Sequence, residues 1–271
     1  MTGTAQASGI TVVTGAAGGM GSAVVSQLVE AGHDRLIICD VSEHALEAVA
    51  APLRACGLAV DAIAGDVSAP DFPDRVIAAL GGQPIRTLIH TAGISPRAGS
   101  AELVMQINLD ATARLIPALL PHMAQGSAAV LVASNSAHMS MGPDADAAFN
   151  RPLPPEGTAA LMHLVPSALA AYPLSKRGVI TLVKQYALAF GERGSRIVSV
   201  SPGATDTNMV RNEMSEGAGA MKIVETAAIK RLARPEELAA VMVFLASPAA
   251  SFITATDLLV DGGELVGMGI V

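Results

Sequence analysis

Residues 10–21 read ITVVTGAAGGMG, a short apolar run followed by a glycine-rich turn. The run predicts a buried strand, and the residues after the turn predict a helix. Gly15 permits the tight turn, Gly19 lets the backbone approach a pyrophosphate, and Gly21 allows helix and strand to pack closely. A merely flexible loop would also contain glycines. Their place between a strand and a helix, whose N-terminus attracts phosphate, favours a dinucleotide-binding turn.

An acidic residue, Asp40, ends the next predicted strand. Its carboxylate can accept hydrogen bonds from the adenosine ribose hydroxyls, and its charge would repel a 2′-phosphate. The turn from Gly15 to Gly21 and the residues beside Asp40 contain no Lys or Arg that would bind such a phosphate. A solvated strand-end carboxylate is the alternative interpretation. Together with the glycines, Asp40 predicts NAD rather than NADP as cofactor.

Strand-like and helical stretches alternate along the rest of the chain. Strands are predicted over 10–14, 35–40, 59–64, 87–91, 129–133, 196–200 and 258–260. Helices are predicted over 22–31, 43–54, 72–80, 103–120, 172–190 and 235–245. Strands without polar alternation predict a parallel sheet covered on both faces. We therefore expect an α/β fold over residues 1–271, a single doubly wound Rossmann-type domain with a mostly parallel seven-stranded sheet, and an insertion at 137–171 near the active site.

Composition excludes several classes of partner. The formal net charge is −7 and no Lys/Arg cluster is present, so we expect no nucleic-acid binding. Residues 115–143 lack charged side chains and are long enough to span a bilayer, but prolines, glycine and serines divide them, which favours a buried soluble core without membrane contact. The N-terminus lacks a secretory signal pattern, the two cysteines lack metal or redox spacing, and the six histidines lack ligand spacing. We expect a cytoplasmic protein without a metal.

A tyrosine and a lysine lie four residues apart in Tyr172-Pro-Leu-Ser-Lys176, and hence on one helix face. A phenol with a pKa of roughly 10 is a poor base near neutrality, but a nearby ammonium stabilises the phenolate. The alternative is a core tyrosine beside a solvated lysine. With only two tyrosines in the chain, the spacing favours an acid–base pair. The other tyrosine, Tyr186, has Phe190 four residues later and is predicted to lie in the core.

The TGxxxGxG turn and the later YxxxK pair resemble the classical short-chain dehydrogenase/reductase family over nearly the whole chain. Asp66-Val67 looks like the family's adenine-contacting pair, Thr91-Ala-Gly93 stands where Asn-Ala-Gly is usual, residues 201–207 resemble the PGxxxT segment, and residues 261–263 match the terminal DGG. The resemblance implies cofactor contacts from Gly15, Gly19, Met20, Asp40, Val41, Asp66, Val67, Ala92, Gly93, Tyr172, Lys176, Pro202, Gly203, Thr205 and Thr207.

The same resemblance implies the catalytic residues. Asn108 matches the asparagine that holds a relay water, Ser134 the serine that hydrogen-bonds the substrate oxygen, and Tyr172 and Lys176 the acid–base pair. The gap between Ser134 and Tyr172 is longer than is usual in the family, which leaves Ser136 as an alternative for the serine. That insertion, with residues 136–138 and 247–251, is similar to bacterial 3α-hydroxysteroid dehydrogenase/carbonyl reductases.

These features predict an NAD-dependent oxidoreductase that transfers a hydride between nicotinamide and a secondary alcohol or ketone. Met209, Met214 and Met221 suggest an apolar substrate wall, with core filling as the alternative. The expected substrate is apolar, either hydroxysteroid-like or another alicyclic or aryl alcohol. A catalytically inactive NAD-binding regulator is the rival function, and a flavin- or methyl-donor-binding domain is a third possibility that leaves the Tyr–Lys pair unexplained.

The helix predicted over 172–190 is apolar around much of its circumference. The apolar residues are Val179, Ile180, Leu182, Val183, Ala187 and Phe190. A helix apolar nearly all round must be buried on both sides, one against its own sheet and the other elsewhere. The sequence therefore predicts a homo-oligomer, and the family resemblance implies a tetramer.

Overall fold

The structure is a computed structural model that describes residues 9–154, 156–215 and 224–271. In this part of the chain seven strands form one sheet, in the order β3-β2-β1-β4-β5-β6-β7, and every neighbouring pair is parallel. The strands are β1 (Ile10–Thr14), β2 (Arg35–Asp40), β3 (Ala59–Ala64), β4 (Ile85–His90), β5 (Met123–Val132), β6 (Arg196–Pro202) and β7 (Asp257–Val260). This confirms the predicted doubly wound Rossmann-type sheet.

The strands are joined by helices on both faces of the sheet. The α-helices are α1 (Gly19–Glu30), α2 (Glu43–Ala55), α3 (Phe72–Leu80), α4 (Ala101–Met105), α5 (Ala111–Leu119), α6 (Pro143–Phe149), α7 (Ala168–Glu192), α8 (Asn208–Ser215), α9 (Pro235–Ala246) and α10 (Glu264–Gly267). The 3₁₀ turns are Leu120–His122, Asn135–His138, Gly157–Leu164 and Pro248–Ala250.

Strand β1 lies at the centre of the sheet, between β2 and β4. All five of its residues are buried. The strand order reverses at the β1–β4 boundary, so the loops after these two strands diverge and open a crevice at the carboxyl edge of the sheet. The glycine turn follows β1 and Thr91 follows β4, and the sequence therefore brings both segments to the place where an open α/β sheet binds its ligand.

Two apolar layers cover the sheet. Leu28 of α1 and Leu46 of α2 belong to one layer, which α9 completes. Phe72 of α3, Leu115 of α5 and Val183 of α7 belong to the other. All five side chains are buried. The inner strands β1, β2, β4 and β6 are covered on both faces, so both sets of their alternating side chains are largely buried, as the sequence pattern indicated.

The stretch predicted as one helix over 103–120 is divided into three parts. Between α4 and α5 lies a π-helical turn, Gln106–Asp110, which contains Asn108. One helical stretch in the described part of the chain, Ala101–His122, is long and apolar enough by length and composition to cross a membrane, and half of its most apolar window is buried in the fold. It packs against α7.

The apolar residues of α7 from which an oligomer was predicted are largely covered by this chain itself. Val179, Ile180, Leu182, Val183 and Phe190 are buried within the chain. The helix packs against α4, α5 and α6 as well as the sheet, so these five side chains do not require a partner chain, and the oligomer stays a prediction. The helix also begins at Ala168 rather than at residue 172, with the Ser167 hydroxyl accepting a hydrogen bond from the Ala170 amide.

The segment predicted as an insertion, residues 137–171, packs on this same side. It contains α6 and the turn Gly157–Leu164. The Thr181 hydroxyl on α7 donates to the Phe149 carbonyl at 2.8 Å. The amide and the hydroxyl of Thr158 both donate to the Asp110 carboxylate, at 2.9 and 2.6 Å. The segment is therefore fixed at two points to the helices beneath it.

Candidate active site

The glycine turn after β1 is held in a shape that only small residues permit. Gly15 has φ +71°, in the left-handed region that favours glycine. Gly21 lies in the first turn of α1, where a Cβ atom would come 2.0 Å from the Gly15 carbonyl oxygen. The Thr91 hydroxyl donates to the Thr14 carbonyl at 2.8 Å and ties the turn to the end of β4. The backbone is thus brought close to the cavity, as a pyrophosphate site requires.

Asp40 does more than the sequence predicted. Its two carboxylate oxygens accept hydrogen bonds from the Ala17 amide at 3.0 Å and the Ser42 amide at 3.1 Å. Asp40 therefore stabilises the glycine turn as well as facing the cavity. Each carboxylate oxygen has a second lone pair with which it could accept a ribose hydroxyl. The neighbouring Val41 side chain is 74% exposed at the cavity rim.

Two adjoining cavities run along the carboxyl edge of the sheet. The outer cavity, about 410 Å³, is bounded by the glycine turn, Asp40 and Asp66. The inner cavity, about 240 Å³, is bounded by Ser134, Tyr172 and Lys176. They share the lining residues Met20, Thr91, Gly93, Ile94, Thr207 and Met209, so they form one continuous cleft.

Every residue predicted to contact the cofactor lines one of these cavities. In the outer cavity these are Gly15, Gly19, Met20, Asp40, Val41, Asp66, Val67, Ala92, Gly93 and Thr207. In the inner cavity they include Tyr172, Lys176, Pro202, Gly203 and Thr205. Of the three methionines predicted near the substrate, Met209 lines both cavities, whereas Met221 and the Met214 side chain lie outside the described residues.

Lys176 is buried under the tyrosine. Its ammonium donates to the Val132 carbonyl at 3.0 Å and lies 5.8 Å from the centre of the Tyr172 ring. Burial lowers the pKa of Lys176 to about 8, because the charged form loses its hydration. The alternative of a solvated lysine is excluded, since only 5% of the residue is exposed. A buried cation beside a phenol is the arrangement that stabilises phenolate.

Asn108 does not line either cavity, and its side chain is occupied. Its amide oxygen accepts from the Ile94 amide at 2.8 Å, and its amide nitrogen donates to the Ile94 carbonyl at 3.0 Å. A Cβ atom on Gly93 would lie 3.0 Å from the Asn108 amide oxygen and 3.3 Å from the Lys176 ammonium, so the two groups lie on the same side of Gly93. The Asn108 side chain therefore fixes Ile94, which lines both cavities, and the part of Asn108 in a water relay stays a prediction.

The two candidate serines share one turn. The Ser136 amide and hydroxyl both donate to the Ser134 hydroxyl oxygen, at 3.2 and 3.0 Å. Ser134 follows β5 directly, and both side chains line the inner cavity with Tyr172. Ser134 is thus an acceptor for two donors, which leaves its own hydrogen available for a substrate oxygen or for the Asn135 amide oxygen at 3.4 Å.

Comparison with known proteins identifies the family of this chain. A short chain dehydrogenase family model matches residues 9–148, and an enoyl-(acyl carrier protein) reductase model matches residues 158–264. A cis-4-hydroxycyclohexanecarboxylate dehydrogenase of Sinomonas cyclohexanicum is 32% identical over 273 residues, covering 96% of this chain and 98% of that protein. The chain belongs to the short-chain dehydrogenase/reductase family.

Solved structures of the family have a similar fold. A 3-alpha-hydroxysteroid dehydrogenase from Pseudomonas sp. B-0831, complexed with NADH, has a TM-score of 0.78 and 27% identity, covering 96% of this chain and 98% of that one. A short chain dehydrogenase from Burkholderia cenocepacia J2315, in complex with NADP, has a TM-score of 0.73 and 28% identity, covering 94% and 96%. As a short-chain dehydrogenase/reductase, this protein is an NAD(P)-dependent oxidoreductase of alcohols and ketones.

The described residues fit a nicotinamide dinucleotide. The cleft is long and is lined at its outer end by glycine backbone. On its far wall a Cβ atom at Gly19 would lie 2.9 Å from the Thr207 methyl group, so little more than backbone fits there. Gly203 lies in the inner cavity with Tyr172 and Lys176. A bound dinucleotide would therefore present its adenosine end to Asp40 and its nicotinamide end to the catalytic residues.

A buried acid, Glu264, was missed by the sequence reasoning. Its carboxylate lines the inner cavity and accepts from the Ala204 amide at 2.8 Å and the Asn135 side-chain amide at 2.7 Å. Burial, with a smaller contribution from the neighbouring Asp261, raises the pKa of Glu264 above its ordinary value, although the two hydrogen bonds act in the opposite direction. An acid directly after the DGG segment was the only signal, and it does not reveal these partners.

Proposed function

We propose that this short-chain dehydrogenase/reductase is an NAD-dependent enzyme for uncharged, apolar secondary alcohols and their ketones, hydroxysteroid-like or otherwise alicyclic or aromatic. The observation that carries the proposal is the buried Lys176 ammonium, 5.8 Å from the Tyr172 ring, in a cavity that also holds the Ser134 hydroxyl. A catalytically inactive NAD-binding regulator would have no need of such a costly buried cation.

The proposed mechanism divides the work between these residues. In oxidation, Tyr172 as phenolate takes the proton of the alcohol, and Ser134 orients the alcohol oxygen. Lys176 holds the phenolate charge, and the main chain around Asn108 holds the water through which the proton returns to solvent. Nicotinamide, when bound beside Tyr172 and Lys176, would supply the hydride acceptor for oxidation and the hydride donor for reduction.

Asp40 supports NAD as the preferred cofactor. The carboxylate faces the outer cavity, and its pairing with the Ala17 and Ser42 amides fixes its orientation. The lining residues described for that cavity include no Lys or Arg that would bind a 2′-phosphate. One solved relative is complexed with NADH and another with NADP, so the preference of this chain must come from its own residues.

The lining of the inner cavity supports an apolar substrate. Ile94, Pro96, Met139, Val210 and Met268 supply apolar walls to a volume of about 240 Å³. Among the described lining residues the only charged side chains are Lys176 and Glu264. Lys176 is committed to the catalytic pair, so a substrate carboxylate would find no free cation there and would face the Glu264 carboxylate. The described walls therefore favour an uncharged alcohol.

We also propose a homo-oligomer in the cytoplasm. Phe252 is fully exposed and Leu188 is 82% exposed, and such apolar side chains suit a contact between copies better than water. Cys39 and Cys56 are both free thiols, which suits a reducing compartment. Light scattering at micromolar protein would refute the oligomer by giving a monomer mass, and a tetramer is the expected result.

A screen of secondary alcohols and ketones, monitored by NADH absorbance, tests the proposed reaction. Tyr172→Phe should lose at least about a hundredfold in kcat while NADH affinity changes little, because acid–base contributions are about 10²- to 10⁴-fold. Tyr186→Phe is the matched control. Tyr186 is a partly buried residue of α7 that packs against the apolar core, so this variant should keep wild-type turnover. Turnover in Tyr172→Phe at a tenth or more of wild type would remove Tyr172 from the mechanism.

A further inference from the structure

The residue directly after the catalytic lysine, Arg177, is a buried cation with several partners. Only 8% of the residue is exposed. Its Nε donates to the Ala137 carbonyl at 3.0 Å, and one terminal nitrogen, Nη2, donates to the Met139 carbonyl at 2.6 Å. The other terminal nitrogen, Nη1, forms an ion pair with the Asp146 carboxylate. The catalytic mechanism uses none of these contacts.

The partners of Arg177 belong to the segment that follows Ser134 and borders the inner cavity. Ala137 belongs to the 3₁₀ turn Asn135–His138, which begins one residue after Ser134 and contains Ser136. Met139 follows this turn and lines the inner cavity. The guanidinium therefore fixes the segment that carries both serine hydroxyls and one apolar wall of the site.

Lys176 and Arg177 reach from one helix to two successive segments of the chain. Consecutive residues on an α-helix point about 100° apart, so the Lys176 side chain reaches the end of β5 while Arg177 reaches the turn beyond it. Thr181, one helical turn later, donates to the Phe149 carbonyl at the end of α6. Helix α7 thus holds the tyrosine and lysine and, through Arg177, also sets where the serine turn lies.

The ion-pair partner is itself well fixed. Asp146 also accepts from the Ser140 hydroxyl at 2.6 Å and the Met141 amide at 2.9 Å. The Asp146 carboxylate therefore connects residues 140–141 to the Arg177 guanidinium. An arginine suits this place because its planar fork can serve three acceptors at once, whereas a lysine ammonium is a compact point charge on a flexible stem.

We propose that Arg177 is a positioning residue that sets substrate selectivity by fastening the serine turn and Met139 to the catalytic helix. The proposal rests on the proposed function, since the turn matters only if Ser134 or Ser136 binds the substrate oxygen. Loss of the fork lets the turn and the methionine wall shift away from Tyr172. A small misplacement of a reacting group lowers turnover by as much as about a hundredfold.

The test compares Arg177→Lys with wild type on a cyclohexanone-sized and a bicyclic ketone, with hydrogen exchange of residues 135–146 measured in parallel. We expect kcat to fall about tenfold or more on the small ketone while the NADH dissociation constant changes less than about twofold. We also expect the ratio of kcat/KM between the two ketones to shift towards the larger one, and exchange to accelerate within residues 135–146.

Arg196 provides a matched control. It is equally buried, at 8%, and its guanidinium also serves three acceptors, the carbonyls of Leu245, Ser247 and Ile253. It begins β6 and so lies at the opposite edge of the sheet from the site. Arg196→Lys should lower stability like Arg177→Lys but leave the ketone ratio and the exchange of 135–146 unchanged.

A second variant keeps the proposal testable if Arg177→Lys does not fold. Asp146→Asn removes the charge of the ion pair, keeps the Arg177 fork and loses one carboxylate oxygen that accepts a neighbouring hydrogen bond. It should change the ketone ratio in the same direction by a smaller factor. Unchanged ratio and unchanged exchange in the folded variants, or equal changes in Arg196→Lys, would overturn the proposal. If wild type reduces no ketone, the proposed function fails; faster exchange of 135–146 in Arg177→Lys alone would then still support the positioning of the turn.

Discussion

Replacing Lys176 by methionine should stabilise the protein in a pH-dependent way while abolishing catalysis. Methionine keeps the unbranched apolar stem and removes the buried charge. Burial lowers the pKa of the lysine from 10.5 to about 8 in the folded chain. A difference of that size corresponds to about 3 kcal/mol of unfolding free energy.

The sign follows from proton binding. Between pH 8 and pH 10.5 the unfolded chain retains the proton on this lysine and the folded chain does not. The wild-type unfolding free energy therefore rises with pH across this window, and the full penalty is present below it. Methionine binds no such proton, so the amount by which the unfolding free energy of the variant exceeds that of wild type should shrink by about 3 kcal/mol between about pH 7 and about pH 10.5.

Urea unfolding at these two pH values measures the effect. Circular dichroism is the suitable probe because the chain has no tryptophan. The lost hydrogen bond from Lys176 to the Val132 carbonyl affects both pH values similarly and largely cancels in the comparison. Lys184→Met, at an exposed position on the same helix, is the control and should show no such pH dependence. A difference between wild type and Lys176→Met that stays constant with pH would show that the ammonium is not buried in solution.

Three further changes test other parts of the cleft. Asp40→Ala should lower kcat/KM with NAD about tenfold or more and raise it with NADP, since a hydrogen bond to a charged acceptor is worth about 1.5–3 kcal/mol. Adding Val41→Arg should raise the NADP value further. An unchanged ratio of kcat/KM between NAD and NADP would place the ribose contact on another residue. Gly21→Ala should lower the unfolding free energy by about 1–3 kcal/mol and weaken NADH binding, because its Cβ would lie 2.0 Å from the Gly15 carbonyl oxygen. A variant with wild-type stability and wild-type NADH affinity would contradict the tight turn. Burial, together with the nearby Lys176, lowers the pKa of His90 to about 3, so the wild-type unfolding free energy should fall as pH falls below 6.5. Between about pH 7 and about pH 4.5 the unfolding free energy of His90→Gln should fall by about 3 kcal/mol less. Equal decreases in urea unfolding would argue against a buried neutral imidazole.

The fold was predictable because its signals are local. The apolar runs, the glycines after β1 and the acid after β2 each act within a few residues of where they stand, and the parallel sheet follows from their alternation. The Tyr172–Lys176 pair is local too, since four residues on a helix define one face. These features place the cofactor cleft and the acid–base pair without any knowledge of tertiary contacts.

The parts that escaped prediction depend on residues far apart in the chain. Glu264 meets Asn135 across 129 positions, and Arg177 meets Met139 across 38. A single sequence contains no pattern for such pairs. The π turn around Asn108 could not be predicted for another reason, because a turn of five residues is too short for its apolar periodicity to be told from that of an α-helix. The oligomer stays a prediction, because periodicity indicates that apolar residues of α7 are buried but not which chain buries them.

The position of β1 has a consequence for how the chain is made. The strand emerges first during synthesis, yet it pairs with β4 as well as β2, and β4 begins about 75 residues later. At about 5–20 residues per second, one edge of this strand, which is fully buried in the fold, stays unpaired for roughly 4–15 seconds until its partner is synthesised. An unpaired, hydrophobic strand edge is a site of aggregation. Expression of soluble protein should therefore depend on how quickly residues 85–90 arrive, so slow codons placed between β2 and β4 should lower the soluble yield without changing a single residue.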